Sequence, residues 1–572
     1  SERLENPKFT APADERTGIA HRWRPTFTTM PGIHCALTTG VSLSGGESQM
    51  CHCYWPETEL AGIQQTGRQV RAGEVLELEL WAKAMSTPVN IRVGLKPLSA
   101  QAPVYAQADL CIDAAYWKPY RTTFTIPRDD DEAIFFIRLL GEGKLWIDQA
   151  HLRPVGEGHV CGEMVRRMES LRIPVLRFPG GTISNNYHWR HGIGPVHLRP
   201  SLPDPVFKAT MNYDFGVDDY LDLCHAQGII PQLTINMGTG TPEEAGEWAA
   251  YCARWFTERG IELPPIYFEM GNELEGHHEL GHMTPGMYVA ALRAFVPAVR
   301  AGYAAARIGV KADEEYYYLR ADQLQPWREV VLAEALDLAD FFIIHSYQGA
   351  WRETDTERQI SVVDGIANVQ AQLDGLIGAV RAANGTQPVA LTEWNYWLHA
   401  GQADGKGFLE PYDVQHALYV AGVLQMLARL APDVEVANFY NLINPMGVFQ
   451  HRGADVEESC LADIFRLYRP AFPGEVVPLD VMSPLLGERG PAVDALMMRN
   501  AEGAWLFVCN RHPAEAAQIQ VDLDDLVGAD TVATLLVGES PTRQFTTSEV
   551  TISGTTIDLP PLSLLRLAPR RC

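Results

Sequence analysis

The sequence has no apolar run approaching the roughly 20 residues that a membrane-spanning helix needs, so no transmembrane helix is predicted. Basic residues are scarce: 46 Lys and Arg stand against 71 Asp and Glu, for a formal net charge of -25. Because such a chain repels phosphates and anionic lipids, we expect no nucleic acid partner and no membrane partner. Cysteine is also sparse, with 10 in 572 residues, which excludes a disulfide-dense scaffold.

Residues 1–155 show short segments of alternating polar and apolar residues, such as EVLELELWAKA, VNIRVGLKPL and AIFFIRLLGEGKLWIDQAHL. Alternation with a period of two, broken by Gly, Pro and Asp clusters, predicts a β jelly roll, and its last strand resembles those of carbohydrate-binding modules. Several aromatic residues here are candidates for stacking on sugar rings, but core or edge packing is the favoured interpretation. They are Trp81, Tyr116, Trp117, Tyr120 and Trp146.

Residues 156–465 alternate apolar strands with amphipathic helices, which indicates a parallel sheet covered on both faces. The number of units favours a (β/α)₈ barrel over a doubly wound sheet. Residues 466–572 return to an all-β pattern and predict a C-terminal β-sandwich. The predicted fold class is therefore α/β, a barrel flanked by two β domains. Only seven barrel strands are visible, because none precedes the helix CGEMVRRMESLRI where the first should lie.

Polar residues follow the predicted barrel strands where each strand ends. In a parallel barrel the active site is built at the carboxyl ends of the strands. A set of polar side chains that each follow four to six apolar residues is not what core packing produces, so we expect them to share one mouth. The set is Arg177, Asn236, Asn272, Glu273, His345, Tyr347, Glu393 and Asn441.

Two carboxylates in this set, Glu273 and Glu393, suit cleavage of a glycosidic bond. That reaction needs one carboxylic acid to protonate the leaving oxygen and one carboxylate to attack or stabilise the anomeric carbon. If LRFPGG is the second strand, Glu273 follows the fourth and Glu393 the seventh, which face each other across the mouth. Arg177 would keep a neighbouring carboxylate ionised or would make a structural ion pair. His345, two residues from Tyr347 in an extended segment, faces the same side, and a structural histidine is its alternative.

Two loops invite other interpretations. GTGTPEE predicts a helix start with Thr241 as N-cap, in preference to a phosphate site. GHHELGH holds His277, His278 and His282, but two glycines oppose a helix and no H-E-x-x-H pattern is present. We therefore expect solvated loop histidines and no metal site in this loop.

Several motifs together resemble the α-L-arabinofuranosidases of glycoside hydrolase family 51, in clan A. They are VLRFPGGTISNNYHWRHGIGPVHLRP, YFEMGNELEGHHELGHMT, FFIIHSY and LTEWNYW, and the resemblance covers about residues 160–570. It implies a retaining mechanism with Glu273 as acid/base and Glu393 as nucleophile. It also implies sugar contacts from Arg177, Asn272 and His345 and from Tyr347, with no metal or organic cofactor.

Three features depart from the family pattern. Thr182 stands where Asn is common, and Asn441 stands where Gln is common; both positions face the sugar in the family, so another glycone is an alternative. The family's first barrel strand carries a sugar-binding Glu, and here SERLENPKF resembles the stretch just after that strand. We therefore expect this chain to lack strand one, with association of a cleaved N-terminal segment as one way to supply it.

The resulting expectation is an exo-acting α-L-arabinofuranosidase that releases terminal furanosyl residues from plant-type polysaccharides or oligosaccharides. One alternative is an endo-β-glucanase, a xylanase or another glycosidase on the same scaffold. A second is a non-catalytic carbohydrate-binding protein. A homo-oligomer is compatible with the sequence, and a secreted location is slightly favoured over a cytoplasmic one.

Overall fold

The structure is a computed structural model that describes residues 2–26, 32–55, 61–85, 88–99, 101–313, 326–349, 354–397, 413–444, 446–452, 455–520, 531–539, 544–550 and 556–569. The chain forms two compact units. The first comprises residues 1–167, 188–223 and 452–455, and the second comprises residues 168–187, 224–451 and 456–572. Among the described residues, no helix is both long enough and apolar enough to cross a membrane. The domain boundaries expected after residues 155 and 465 stay predictions.

Ten strands in the first unit form two five-stranded antiparallel sheets, in the orders β1-β4-β9-β6-β7 and β2-β3-β10-β5-β8. They are β1 (Arg24–Pro25), β2 (Ile33–Thr39), β3 (Glu47–Cys53), β4 (Gly62–Val70), β5 (Val75–Ala84), β6 (Val89–Lys96), β7 (Ala106–Ile112), β8 (Lys118–Thr125), β9 (Asp130–Leu139) and β10 (Gly143–Pro154). The alternation seen in the sequence is the cause: Leu76, Leu78 and Leu80 of β5 are fully buried while the residues between them are not.

The aromatic residues of these sheets divide between packing and exposure. Tyr120 is buried, and the ring of Trp81 stacks on His197 at 4.4 Å within the same unit. The ammonium group of Lys83 lies 5.0 Å from the ring of Trp117 and 5.6 Å from that of Trp146. Tyr116 is 70% exposed. A role of any of them in sugar stacking stays a prediction.

The middle of the chain contains the predicted alternation of strands and helices, and also a short two-stranded antiparallel sheet that the sequence did not predict. In chain order they are α1 (Gly162–Leu171), β11 (Val175–Phe178), β12 (Ser201–Asp204), β13 (Ala209–Asn212), α2 (Val217–Gln227), β14 (Ile230–Ile235), α3 (Pro242–Glu258), β15 (Ile266–Met270), α4 (Pro285–Gly302), β16 (Ala306–Lys311), α5 (Trp327–Glu334), β17 (Phe341–Gly349), α6 (Asp355–Ala382), β18 (Val389–Trp397), α7 (Val414–Arg429) and β19 (Val434–Phe439). Thr241 caps α3 as predicted, since its side chain accepts the N–H of Glu244.

Seven of these strands form one parallel sheet in the order β11-β14-β15-β16-β17-β18-β19. The first and last strands approach within 8 Å between Cα atoms without pairing, so the sheet is a nearly closed barrel. The predicted barrel is confirmed, and so, within the described ranges, is the count of seven strands. The opening lies between β11 and β19, where an eighth strand would complete the barrel.

Within the described residues of the C-terminal part there are one α-helix and ten further strands. In chain order they are β20 (Phe449–Arg452), β21 (Asp455–Glu458), α8 (Leu461–Tyr468), β22 (Glu475–Val477), β23 (Val493–Asn500), β24 (Gly503–Asn510), β25 (Ala517–Gln520), β26 (Thr531–Val537), β27 (Thr546–Val550), β28 (Thr556–Leu559) and β29 (Ser563–Pro569). A six-stranded sheet runs β22-β23-β24-β29-β26-β27, and β25 pairs with β28. Their apolar faces share one core that includes Leu506, Val508 and Leu565.

Candidate active site

Arg177, at the carboxyl end of β11, joins residues from two other barrel strands. Its Nη1 donates to Glu393 Oε1 of β18 at 2.7 Å, and its Nε donates to Glu269 Oε2 of β15 at 2.8 Å. Its Nη2 donates to Asn272 Oδ1 at 2.9 Å. Burial alone would lower the pKa of Arg177, but the charges of Glu269 and Glu393 hold it above its usual value. The guanidinium is therefore a fixed positive charge that stabilises the negative charge of Glu393.

Glu393 is held at both carboxylate oxygens. Its Oε2 accepts a hydrogen bond of 2.6 Å from the hydroxyl of Tyr347 in β17, and only 8% of its side chain is exposed. Burial, followed by the charge of Glu393, raises the pKa of Tyr347 well above its ordinary value. The phenol thus keeps its proton and remains a donor. These two hydrogen bonds, one of them from a guanidinium, fix the orientation of the Glu393 carboxylate.

Glu273 lies in the turn after β15 with a φ of 43°, an unusual conformation for a residue with a side chain. Its side chain is 21% exposed, more than that of Glu393, and its Oε1 lies 2.7 Å from His345 Nδ1. One carboxylate oxygen of Glu273, one of Glu393 and a ring nitrogen of His345 all lie within 4.8 Å of one another. The structure therefore brings the two carboxyl groups singled out in the sequence to one place, on the fourth and seventh strands of the predicted count.

His345 is a neutral imidazole between the carboxyl groups. Burial, followed by the positive charge of Lys311, lowers its pKa to about 3. Its Nδ1 faces Glu273, and its Nε2 lies 3.0 Å from Thr392 Oγ1. Since a neutral ring has one N–H, it can donate to ionised Glu273 or accept from protonated Glu273, with the Thr392 hydroxyl adapting at the other nitrogen.

A second carboxyl network borders Glu273. Glu279 Oε1 accepts from the Thr182 hydroxyl at 2.7 Å, and its Oε2 accepts from Asn185 Nδ2 at 2.9 Å. Asn185 Nδ2 also donates to the carbonyl oxygen of Asn272 at 2.7 Å. Thr182, predicted to face the sugar, is thus seen bonded to a buried carboxyl group.

Sequence reasoning missed Glu269, Asn185 and Glu279. Glu269 had a usable signal, because a charged residue inside the apolar strand IYFEM must find a buried partner. Glu279 lies in a polar loop and had none: its burial depends on the turn that follows β11, nearly 100 residues earlier in the chain.

Two predicted site residues are placed differently from the rest. Asn236 Oδ1 accepts the N–H groups of Thr239 and Gly240 at 2.9 and 3.1 Å, so it stabilises the loop after β14. Asn441 follows β19, and its backbone oxygen accepts from Val448 at 3.1 Å. Within the described part of the chain, neither side chain is seen bonded to Glu273 or Glu393, and their contact with sugar stays a prediction.

Among the residues that the structure describes, two groups of side chains have the atom types and spacing to hold a metal ion. One is Glu273, His345 and Glu393, and the other is Glu273, His278 and Glu279, with donor atoms within 4.8 Å in each. His278 remains 41% exposed, as a loop histidine, while its Nε2 lies 3.3 Å from Glu279 Oε1. Hydrogen bonds within the protein already occupy Glu279 and Glu393, so these residues need no ion to satisfy them.

The sequence-family model described as the α-L-arabinofuranosidase 1 domain matches residues 167–253 of this chain. A relative from Emericella nidulans, α-L-arabinofuranosidase C, is 28% identical over 315 residues, which are 50% of this chain and 60% of the relative. The chain thus spans less than two thirds of the length of that relative. An intracellular exo-α-(1→5)-L-arabinofuranosidase from Halalkalibacterium halodurans is 24% identical over 64% of this chain and 78% of its own.

Solved structures agree with the fold. An α-L-arabinofuranosidase from Thermotoga maritima in complex with arabinose has a TM-score of 0.61 and 23% identity, over 71% of this chain and 89% of its own. The arabinose-bound MgGH51 α-L-arabinofuranosidase has a TM-score of 0.73 and 14% identity, over 99% of this chain and 94% of its own. At these identities the likeness establishes the fold of the chain.

Proposed function

We propose that this chain, which the comparisons assign to glycoside hydrolase family 51, is a retaining glycosidase and, within that class, an exo-acting α-L-arabinofuranosidase. The observation that carries the proposal is the proximity of Glu273 and Glu393, whose nearest carboxylate oxygens lie within 4.8 Å. Retaining glycosidases hold their two carboxyl groups about 5 to 5.5 Å apart, whereas inverting ones leave roughly 6.5 to 9.5 Å for a water molecule.

In the first half of the reaction, Glu393 attacks the anomeric carbon while Glu273 gives its proton to the leaving oxygen. The bond from the sugar to the leaving group breaks, and a covalent bond from the anomeric carbon to a Glu393 oxygen forms. Arg177 and Tyr347 hold Glu393 ionised and oriented before attack. Because these two hydrogen bonds are already formed, the Glu393 carboxylate needs little reorganisation before it attacks.

In the second half, ionised Glu273 takes a proton from a water molecule, which attacks the anomeric carbon and releases Glu393. Glu273 therefore alternates between acid and base, and it must be the more accessible carboxyl group. Its 21% exposure against 8% for Glu393 supports this assignment. His345 suits the alternation because its neutral ring accepts or donates as Glu273 gains or loses its proton.

Arabinofuranose as the glycone is supported by the names of the relatives, including one named for exo action. The substrate would then be a plant-type polysaccharide or oligosaccharide with terminal arabinofuranosyl groups. Thr182 and Asn441 differ from the pattern of the family, so the glycone is the part of the proposal that most needs a direct test.

The test is a panel of aryl glycosides that share one leaving group and differ in sugar, with the anomer first released identified by NMR. We expect turnover of the α-L-arabinofuranoside, with the configuration of the substrate retained. Release from β-xylosides or β-glucosides instead would support the alternative glycosidase on the same scaffold. Inversion would refute the covalent mechanism, and no release from any member together with sugar binding would identify a non-catalytic binding protein.

A further inference from the structure

Glu279 lies beside the catalytic carboxyl groups, and the reaction as described gives it no task. Its side chain is fully buried, yet it belongs to the loop that follows Glu273. Burial of a carboxyl group costs free energy unless donors surround it. Here Thr182 and Asn185 donate to it at 2.7 and 2.9 Å, and Asn272 Nδ2 lies 3.5 Å from its Oε1.

These donors connect Glu279 to both catalytic residues through Asn272. The side chain of Asn272 lies between Glu279 and Arg177, with its amide nitrogen toward the former and its Oδ1 bound to the latter. Asn185 holds the backbone of Asn272 from both sides, because its Nδ2 donates to the carbonyl oxygen and its Oδ1 accepts the N–H at 3.2 Å. The next residue is Glu273, whose φ of 43° must be maintained by such contacts.

We propose that Glu279 is a positioning residue: in its ionised form it orients Asn185 and Asn272, so that Asn272 supports Arg177 and the turn carries Glu273 at the anomeric carbon. A protonated Glu279 has one acceptor oxygen fewer for these three donors. Asn185 and Asn272 are then held less firmly in their orientation. This inference rests on the proposed glycosidase function, since it assigns Glu279 a role in the same site.

The electrostatic surroundings make the ionisation of Glu279 responsive near neutral pH. Burial raises the pKa of Glu279 to about 7, against the lowering effect of the Thr182 and Asn185 hydrogen bonds. The charges that raise it further are those of Glu273, in its own loop, and Glu393, in β18. His278 also faces it from its own loop, and Arg177 of β11 reaches it only through Asn272. Because the ionised form is the ordered one, kcat/KM should fall as pH drops through this pKa.

The experiment compares the pH profile of kcat/KM for the wild type, Glu279→Gln and Thr182→Val. Glutamine has nearly the same shape but cannot be ionised, and its single carbonyl oxygen cannot replace the two carboxylate oxygens that accept from Thr182 and Asn185. We expect Glu279→Gln to lose about tenfold in kcat/KM above neutral pH and to lose the ionisation near neutrality. Thr182→Val removes one donor and keeps the carboxyl group, so its acid limb should move to higher pH.

A merely structural role would lower activity equally at all pH values, with the acid limb unchanged in Glu279→Gln, and that result would overturn the proposal. Infrared spectroscopy supplies a readout that needs no turnover. A carboxylic C=O band that titrates near neutrality in the wild type and is absent from Glu279→Gln supports the inference, even if the aryl glycoside panel refutes the glycosidase. Absence of any band difference overturns it, and circular dichroism of both variants checks that they fold.

Discussion

Arg177 illustrates at the residue scale how one side chain sets up a site. It bonds Glu393, the proposed nucleophile, and Glu269, which lies 1% exposed inside the barrel. The buried ion pair with Glu269 fixes the guanidinium, and the guanidinium then fixes Glu393. Charged groups so deeply buried are stable only when paired and hydrogen-bonded, as both are here.

Glu273→Ala should discriminate between leaving groups. Loss of the acid should cost about 10²- to 10⁴-fold in kcat/KM on aryl arabinofuranosides with poor leaving groups, the range of general acid catalysis. Nitro-substituted phenols leave without a proton, so the decrease in kcat/KM for substrates that carry them should be much smaller. The measurement is kcat/KM against leaving-group pKa for wild type and variant. An equal loss for every leaving group would contradict the acid role of Glu273.

Glu393→Ala should abolish turnover of all these substrates, good leaving groups included, because no covalent intermediate can form. A loss of about 10⁴-fold or more in kcat is expected when a nucleophile is removed. A variant that still releases activated phenols at a fraction comparable with Glu273→Ala would show that another residue attacks the sugar.

At the scale of elements, strand ends and helix starts hold the site together. The loop between β14 and α3 contains Asn236, bonded to Thr239 and Gly240, followed by the N-cap Thr241. Asn236 thus satisfies N–H groups of the loop, and Thr241 satisfies the N–H of Glu244, one of those that a helix start leaves without a partner. The loop therefore supports the turn of Glu273, since Gly281 of that turn packs directly against Gly238 of the loop.

Thr241→Ala should destabilise the protein by about 1 kcal/mol, the usual cost of removing an N-cap side chain. The hydroxyl that accepts the N–H of Glu244 is lost, and α3 loses its first anchor. The free energy of unfolding from urea denaturation measures the effect. Thr257→Ala, in the exposed last turn of the same helix, is the matched control and should be close to neutral. An equal decrease in the free energy of unfolding of both variants would show that the N-cap hydrogen bond of Thr241 does not stabilise the helix.

At the scale of the whole molecule, an ion pair between Arg429 of α7 and Asp494 of β23 joins the barrel to the C-terminal sheet within one compact unit, and a second, buried pair with Arg511 holds Asp494 in place. Arg511, 2% exposed, donates to Asp494 Oδ2 at 2.8 Å, and Arg429 at the end of α7 donates to Asp494 Oδ1 at 2.7 Å. Burial alone would raise the pKa of Asp494, but the charges of Arg511 and Arg429 hold it below its usual value.

Asp494→Asn should cost about 3 kcal/mol of unfolding free energy at pH 7, because it leaves the buried charge of Arg511 without its partner. Since the folded pKa lies below the unfolded one, the contribution is complete at neutral pH and is lost as pH falls through the folded pKa. The difference between wild type and variant should therefore shrink in acid. Asp433→Asn, which breaks the exposed ion pair with Arg381, should cost less than about 1 kcal/mol. Equal costs would refute the structural role of Asp494.

The sequence by itself determined the order of strands and helices, the barrel, the count of seven strands and the two carboxyl groups. Each of these depends on local patterns: apolar runs for buried strands, helical periodicity between them, and a polar residue where each strand ends. Glu273 and Glu393 could be paired in advance because strands four and seven of any such barrel end at one mouth.

Only the tertiary structure decided which polar residues meet. It separated Asn236, which bonds its own loop, from Arg177, which joins three segments, although both stand at strand ends. It also buried Glu279 against Thr182 and Asn185, residues nearly 100 positions away. The physical reason is that hydrogen bonds and burial depend on distances in space, and for residues far apart in the chain no local pattern encodes those distances.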